Sequence, residues 1–124
     1  MSKRYKILIL DDEQDILDVL TRFLDRKKLV DVVICTQPAE AISIVKSGSI
    51  DLLLTDIMMP EIDGVEVLKQ VKASNPSVSV IMMTAYSTMD KILECEKLGA
   101  IDYVTKPFIS LKDVENKILT TLGL

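Results

Sequence analysis

Five short aliphatic runs recur along the chain, each followed by a stretch of different rhythm. The runs are YKILIL (5–10), DVVIC (31–35), DLLLT (51–55), VSVIMM (78–83) and AIDYV (100–104). Their length suits strands. Between them the apolar residues fall at helical spacing: Ile16, Leu20, Phe23 and Leu24 in the first interval, Val114, Ile118, Leu119 and Leu122 in the last. The punctuation agrees. Pro38 fits a first helical turn, and Gly48 and Gly99 fit positions just past helix ends. Ser87 with Asp90, and Ser110 with Asp113, have the spacing of a capping box with Asp in place of Glu. Pro76 follows the third helical stretch.

The predicted order is therefore strand–helix five times over. The middle strands are apolar nearly throughout, as parallel strands covered on both faces must be. Right-handed crossovers then give an α/β fold with an open, doubly wound five-stranded parallel sheet, and the favoured strand order is 2-1-3-4-5. A chain of 124 residues suits one core, so residues 1–124 read as a single domain.

Composition narrows the chemistry. A net charge of −4 argues against direct nucleic-acid binding through phosphates. No apolar run approaches the roughly 18 residues of a membrane span. MSKRYKILIL carries positive charge and a short apolar stretch without a small-residue cleavage site, so a cytoplasmic protein is expected. Cys35 and Cys95 match no metal or redox spacing and read as buried free thiols in a reducing compartment. Histidine is absent, which excludes histidine triads, histidine metal sites and phosphohistidine on this chain.

The acids are where the pattern becomes unusual. The first strand runs directly into Asp11, Asp12 and Glu13, and the third ends in Asp56. In a 2-1-3-4-5 sheet, ligands bind beyond the carboxyl ends of the strands, between strands one and three. The acids therefore converge there, with Thr84 at the end of strand four and Lys106, to which strand five runs, at the border. Carboxylates about 5 Å apart at an effective dielectric near 20 repel by roughly 3 kcal/mol. A divalent cation offsets that repulsion, and oxygen-only ligands select Mg²⁺ or Mn²⁺. A metal held by acids, a spare carboxylate, a hydroxyl and a lysine make a phosphoryl-transfer site.

At these residues the chain resembles a bacterial two-component response regulator, in its receiver (CheY-like) domain, which has a flavodoxin-like fold. The stretches that carry the resemblance are ILILDDE (7–13), LTDIMMPEIDG (54–64), MMTAY (82–86) and DYVTKPF (102–108). The resemblance implies that Asp56 is the phosphoacceptor. It assigns the Mg²⁺ site to Asp11, Asp12, Asp56 and the backbone carbonyl of Met58, Asp12 binding directly and Asp11 through water or by positioning, with Mn²⁺ as a substitute. Lys106 becomes the phosphate-binding cation, Thr84 the switch hydroxyl, Ala85 the small neighbour that leaves room for phosphate, and Tyr103 the aromatic switch. It implies a cis peptide between Lys106 and Pro107 and a structural role for Gly64. The implied partners are a sensor histidine kinase or phosphotransfer protein, and an effector at the surface of the fourth helix, fifth strand and fifth helix. Dimerisation on phosphorylation is compatible with it. Met58 and Tyr86 fall where the family tunes the phosphoryl lifetime. Catalysis is limited to the domain's own aspartyl phosphorylation and dephosphorylation. The chain is expected to be a stand-alone regulator or the receiver of a longer transcription regulator.

Two other functions share parts of this pattern. A haloacid-dehalogenase-type phosphatase also uses an Asp nucleophile and Mg²⁺, but needs a second Asp two residues on, where this chain has Met58. A flavodoxin-like flavin binder needs a Ser/Thr/Gly-rich phosphate loop where this chain has DDEQD. Singly, the site residues have plainer readings. Asp12 with Asp15 could cap a helix, Thr84 could cap a turn, and Lys106 could be a solvated loop lysine. The run Arg26-Lys27-Lys28 reads as a solvated complement to the negative end of the first helix.

Overall fold

In the computed structural model, which describes residues 4–124, the predicted alternation is realised element by element. The strands are β1 (Tyr5–Leu10), β2 (Val30–Cys35), β3 (Leu52–Asp56), β4 (Ser79–Ala85) and β5 (Asp102–Lys106). The helices are α1 (Gln14–Asp25), α2 (Pro38–Lys46), α3 (Gly64–Ser74), α4 (Ile92–Lys97) and α5 (Leu111–Leu122). All pairings are parallel, in the order β2-β1-β3-β4-β5.

Period-two alternation along the central strands separates two cores. Leu8, Leu10, Leu53, Val80 and Met82 pack with residues of α2, α3 and α4 on one face. Ile7, Ile9, Leu52, Leu54, Ile81 and Met83 pack with residues of α1 and α5 on the other. The central strands are thus apolar on both faces because both faces are covered. In α1 the buried stripe is Leu17, Leu20 and Leu24, with Ile16 and Phe23 on its half-buried flank. Cys35 and Cys95 are buried free thiols, and burial raises both above the ordinary thiol value. Among the described residues no helix is long and apolar enough to cross a membrane.

Several local expectations needed tertiary correction. Ser110 does cap α5, accepting from the Asp113 backbone N–H at 3.2 Å. Ser87 is not the N-cap of α4; it lies inside a 3-10 turn, Tyr86–Lys91, which precedes α4 and whose N-cap residue is Ala85. Asp12 does not cap α1, whose N-cap residue is Glu13. The run Arg26-Lys27-Lys28 is exposed as expected, yet Arg26 and Lys27 also reach Glu115 Oε1 at 3.1 and 3.2 Å. Glu115 is buried on α5, so this contact ties the end of α1 to α5. Glu115→Ala is expected to cost about 1–2 kcal/mol, less than a fully buried pair, because both cations can return to water. Urea unfolding measures it.

Candidate functional site

Strand register builds the site. β1 and β3 pair from Ile7↔Leu52 to Leu10↔Thr55. One residue beyond that last pair stand Asp11 and Asp56, abreast at the carboxyl end of the sheet. On the other side, β4 and β5 pair Thr84 with Thr105 and Ala85 with Lys106. Lys106 is therefore the last strand residue, followed by a cis peptide to Pro107.

From there the lysine side chain crosses to the acids. Its Nζ donates to Asp11 Oδ2 at 2.7 Å and to Asp56 Oδ2 at 3.2 Å, and lies 3.5 Å from Glu13 Oε1. Asp11 is fully buried and also accepts from the Glu13 backbone N–H at 2.8 Å. Asp56 is buried at 7% exposure, while Asp12 faces solvent. Asp11, Asp12 and Asp56 each offer a carboxylate oxygen, and these oxygens lie within 4.8 Å of one another.

One ammonium thus serves a cluster of four acids. Burial raises Asp11 above the usual carboxylate range, more than its hydrogen bonds to Lys106 and the Glu13 amide lower it. Burial raises Asp56 too, reinforced by the Asp11 charge and opposed by Lys106 and the Met58 amide. For Lys106, burial pulls downward, but the bond to Asp11 and the charges of Asp11 and Asp56 prevail and raise it. The acids are short of positive charge even with the lysine in place. Their donor set is oxygen alone, partly open to solvent through Asp12, which fits a hard dication.

The other candidates fall around this cluster. The Met58 side chain is exposed. Thr84 is fully buried at the end of β4, its hydroxyl 2.7 Å from Thr88 Oγ1 and 3.1 Å from the Ala85 carbonyl. Tyr103 is half-buried against the α2–α4 core, and Lys117 Nζ donates to its carbonyl at 2.7 Å. Gly64 opens α3, and its N–H donates to the Ile57 carbonyl at 2.7 Å. The side chain of Tyr86 lies outside the described residues.

Glu13, expected among the converging acids, lies 3.5 Å from Lys106 Nζ. Two contributors were not expected from the sequence as site residues. Thr88 holds the Thr84 hydroxyl, signalled only by a four-residue separation. Asp63 caps α3 through the Val65 N–H and pairs with Lys91 at 2.7 Å, joining the loop after β3 to the 3-10 turn. The hydrogen bond to Asp63 raises Lys91. Burial raises Asp63, but its bonds to Lys91 and the Val65 amide outweigh that and lower it.

Comparison with known proteins gives a consistent picture. The profile of the response regulator receiver domain family matches residues 7–119. The chain is 41% identical to the transcriptional regulatory protein ZraR of Klebsiella oxytoca, over 86% of this chain and 24% of that protein. It is 37% identical to the alkaline phosphatase synthesis transcriptional regulatory protein PhoP of Bacillus subtilis, over 94% of this chain and 48% of that one. The chain thus spans between about a quarter and about a half of these curated relatives. Among solved structures, a response regulator receiver domain protein from Clostridium thermocellum superposes with a TM-score of 0.86 at 30% identity, covering 96% of this chain and 94% of that one. A CheY-like receiver domain protein from Methanospirillum hungatei gives 0.88 at 28% identity, with 98% and 95% covered.

Proposed function

We propose, starting from the fact that this chain belongs to the response regulator receiver domain family of two-component signalling, that it accepts a phosphoryl group on Asp56. The observation that carries the reading is the Asp11–Asp12–Asp56 cluster bridged by Lys106. Asp11, Asp12, Asp56 and the Met58 carbonyl would hold Mg²⁺, with Mn²⁺ as a substitute. When bound, the ion supplies the positive charge that the cluster lacks and that the phosphoryl oxygens require.

A carboxylate oxygen of Asp56 attacks phosphorus. The new O–P bond forms as the donor's bond to phosphorus breaks and the donor leaves with its electron pair. Lys106 neutralises an equatorial oxygen, and Ala85 leaves room for it. The donor is a sensor histidine kinase, a phosphotransfer protein or a small acyl phosphate in the cytoplasm, and hydrolysis later resets Asp56.

The phosphoryl group adds up to two charges and three acceptor oxygens. Thr84 turns to donate to one of them, and Tyr103 moves into the space released. The surface of α4, β5 and α5 then changes for an effector or a second copy. Leu93 and Ile101 are exposed there. Moving a population from 1:99 to 99:1 needs about 5.5 kcal/mol. Two or three charge-assisted bonds, worth roughly 1.5–3 kcal/mol each, suffice.

Acetyl phosphate with Mg²⁺ should produce a phosphoryl adduct on Asp56 that EDTA prevents. Mg²⁺ at about a hundred times its Kd should stabilise the fold by about 2.7 kcal/mol. Lys106→Ala should keep Mg²⁺ binding but slow adduct formation about a hundredfold. An adduct on another residue would overturn the reading. Turnover of many phosphate esters would favour the phosphatase, and a stable flavin spectrum the flavin binder.

A further inference from the structure

We infer that Thr88 is a positioning residue that holds the Thr84 hydroxyl in its resting place, so that the switch must break the Thr84–Thr88 hydrogen bond. The inference rests on the reading of Asp56 as phosphoacceptor and adds a residue to it.

The geometry is a closed triad. Thr84 Oγ1 and Thr88 Oγ1 lie 2.7 Å apart, and both lie near the Ala85 carbonyl, at 3.1 and 3.0 Å. Both threonines are buried, at 0% and 4% exposure. A hydroxyl has one proton to give. In this arrangement Thr84 spends its proton on Thr88 or on the Ala85 carbonyl. Donation to a phosphoryl oxygen on Asp56 needs that proton redirected, and the hydroxyl must turn away from Thr88 to do it.

Thr88 is buried and has an anchor of its own, donating to the Ala85 carbonyl at 3.0 Å. It sits in the 3-10 turn Tyr86–Lys91. The far end of that turn is fastened to the loop after β3 by Lys91, 2.7 Å from Asp63, which itself caps α3. When Thr84 turns, Thr88 keeps its bond to the Ala85 carbonyl and loses only its bond to Thr84. The Thr84–Thr88 bond therefore exists in the resting state alone. A contact made in one state only shifts the equilibrium by its own worth.

The test uses beryllium fluoride with Mg²⁺, which mimics a phosphoryl group on a carboxylate, with bound probe followed by fluorine NMR. Thr88→Val keeps the shape and removes the hydroxyl. It should lower the beryllium fluoride midpoint about fivefold, the worth of one neutral hydrogen bond. Thr88→Ser should restore the wild-type midpoint. In a Thr84→Ala background, Thr88→Val should have no effect, because the bond is already gone. Thr88→Ala serves in place of Thr88→Val should the valine variant not fold. An unchanged or raised midpoint overturns the inference. So does an equal shift in the Thr84→Ala background, which would make Thr88 merely structural. If the wild-type protein binds Mg²⁺ but takes up no beryllium fluoride, the reading of Asp56 itself fails and this inference goes with it.

Discussion

Asp56→Asn is expected to abolish the phosphoryl adduct entirely and, in metal-free buffer at neutral pH, to make the protein more stable. The first effect follows from removing the carboxylate proposed to attack phosphorus; an amide is no substitute nucleophile. The second follows from the electrostatics of the cluster. Burial and the Asp11 charge raise the Asp56 carboxyl above its ordinary value, despite Lys106. A carboxylate whose folded value is raised binds more protons in the folded state than in the unfolded one. Unfolding free energy then falls as pH rises from the unfolded value through the folded one, and the penalty is complete above both. Asn carries no such penalty.

The variant should therefore gain about 1 kcal/mol at neutral pH, near 3–5 °C in Tm. The gain should vanish as pH falls below the ordinary carboxylate range. With Mg²⁺ the order should narrow or reverse, because wild type gains more from the ion. Differential scanning calorimetry across pH, with and without Mg²⁺, measures this. A variant less stable than wild type in EDTA would mean that Lys106 already satisfies the acids.

Gly64→Ala is the second large effect. In an ordinary helix, Ala is favoured over Gly by roughly 1 kcal/mol. Here a Cβ on Gly64 would meet the Asp56 carbonyl oxygen, and would stand 2.6 Å from Ile57 Cα and 2.9 Å from the Ile57 carbonyl oxygen. All three are backbone atoms, which cannot step aside as a flexible side chain can. The start of α3 and the segment that follows Asp56 would have to separate. A loss of about 2–4 kcal/mol is expected, near 10 °C in Tm, together with slower adduct formation. A variant that is more stable than wild type, with unchanged phosphorylation, would show that the close approach is dispensable.

The alternation of strands and helices was legible because its causes are local. Apolar runs, helical spacing, Pro38 and the positive-φ glycines Gly48 and Gly99 act over a few residues. Strand order and the acid cluster were legible for a related reason. Once five parallel strands are assigned, handed crossovers leave few arrangements, and every strand end falls on one edge. The aliphatic run at 100–104 begins two residues before the observed fifth strand, Asp102–Lys106, which ends at Lys106 as expected. The Ile101 N–H bonds to the Val80 carbonyl, and register with β4 carries the strand as far as Lys106.

By itself, the sequence determined the element order, the two-sided core and the meeting of Asp11, Asp12, Asp56 and Lys106 at one edge. Its local rules act on neighbours, and parallel topology converts strand ends into a site. Tertiary structure alone decided which acids Lys106 grips, that Glu115 on α5 receives Arg26 and Lys27, and that Thr84 rests on Thr88 beside a tight turn fastened by Asp63 and Lys91. Those choices depend on distances between side chains far apart in the chain or on the winding of one turn. Hydrophobic periodicity is blind to both.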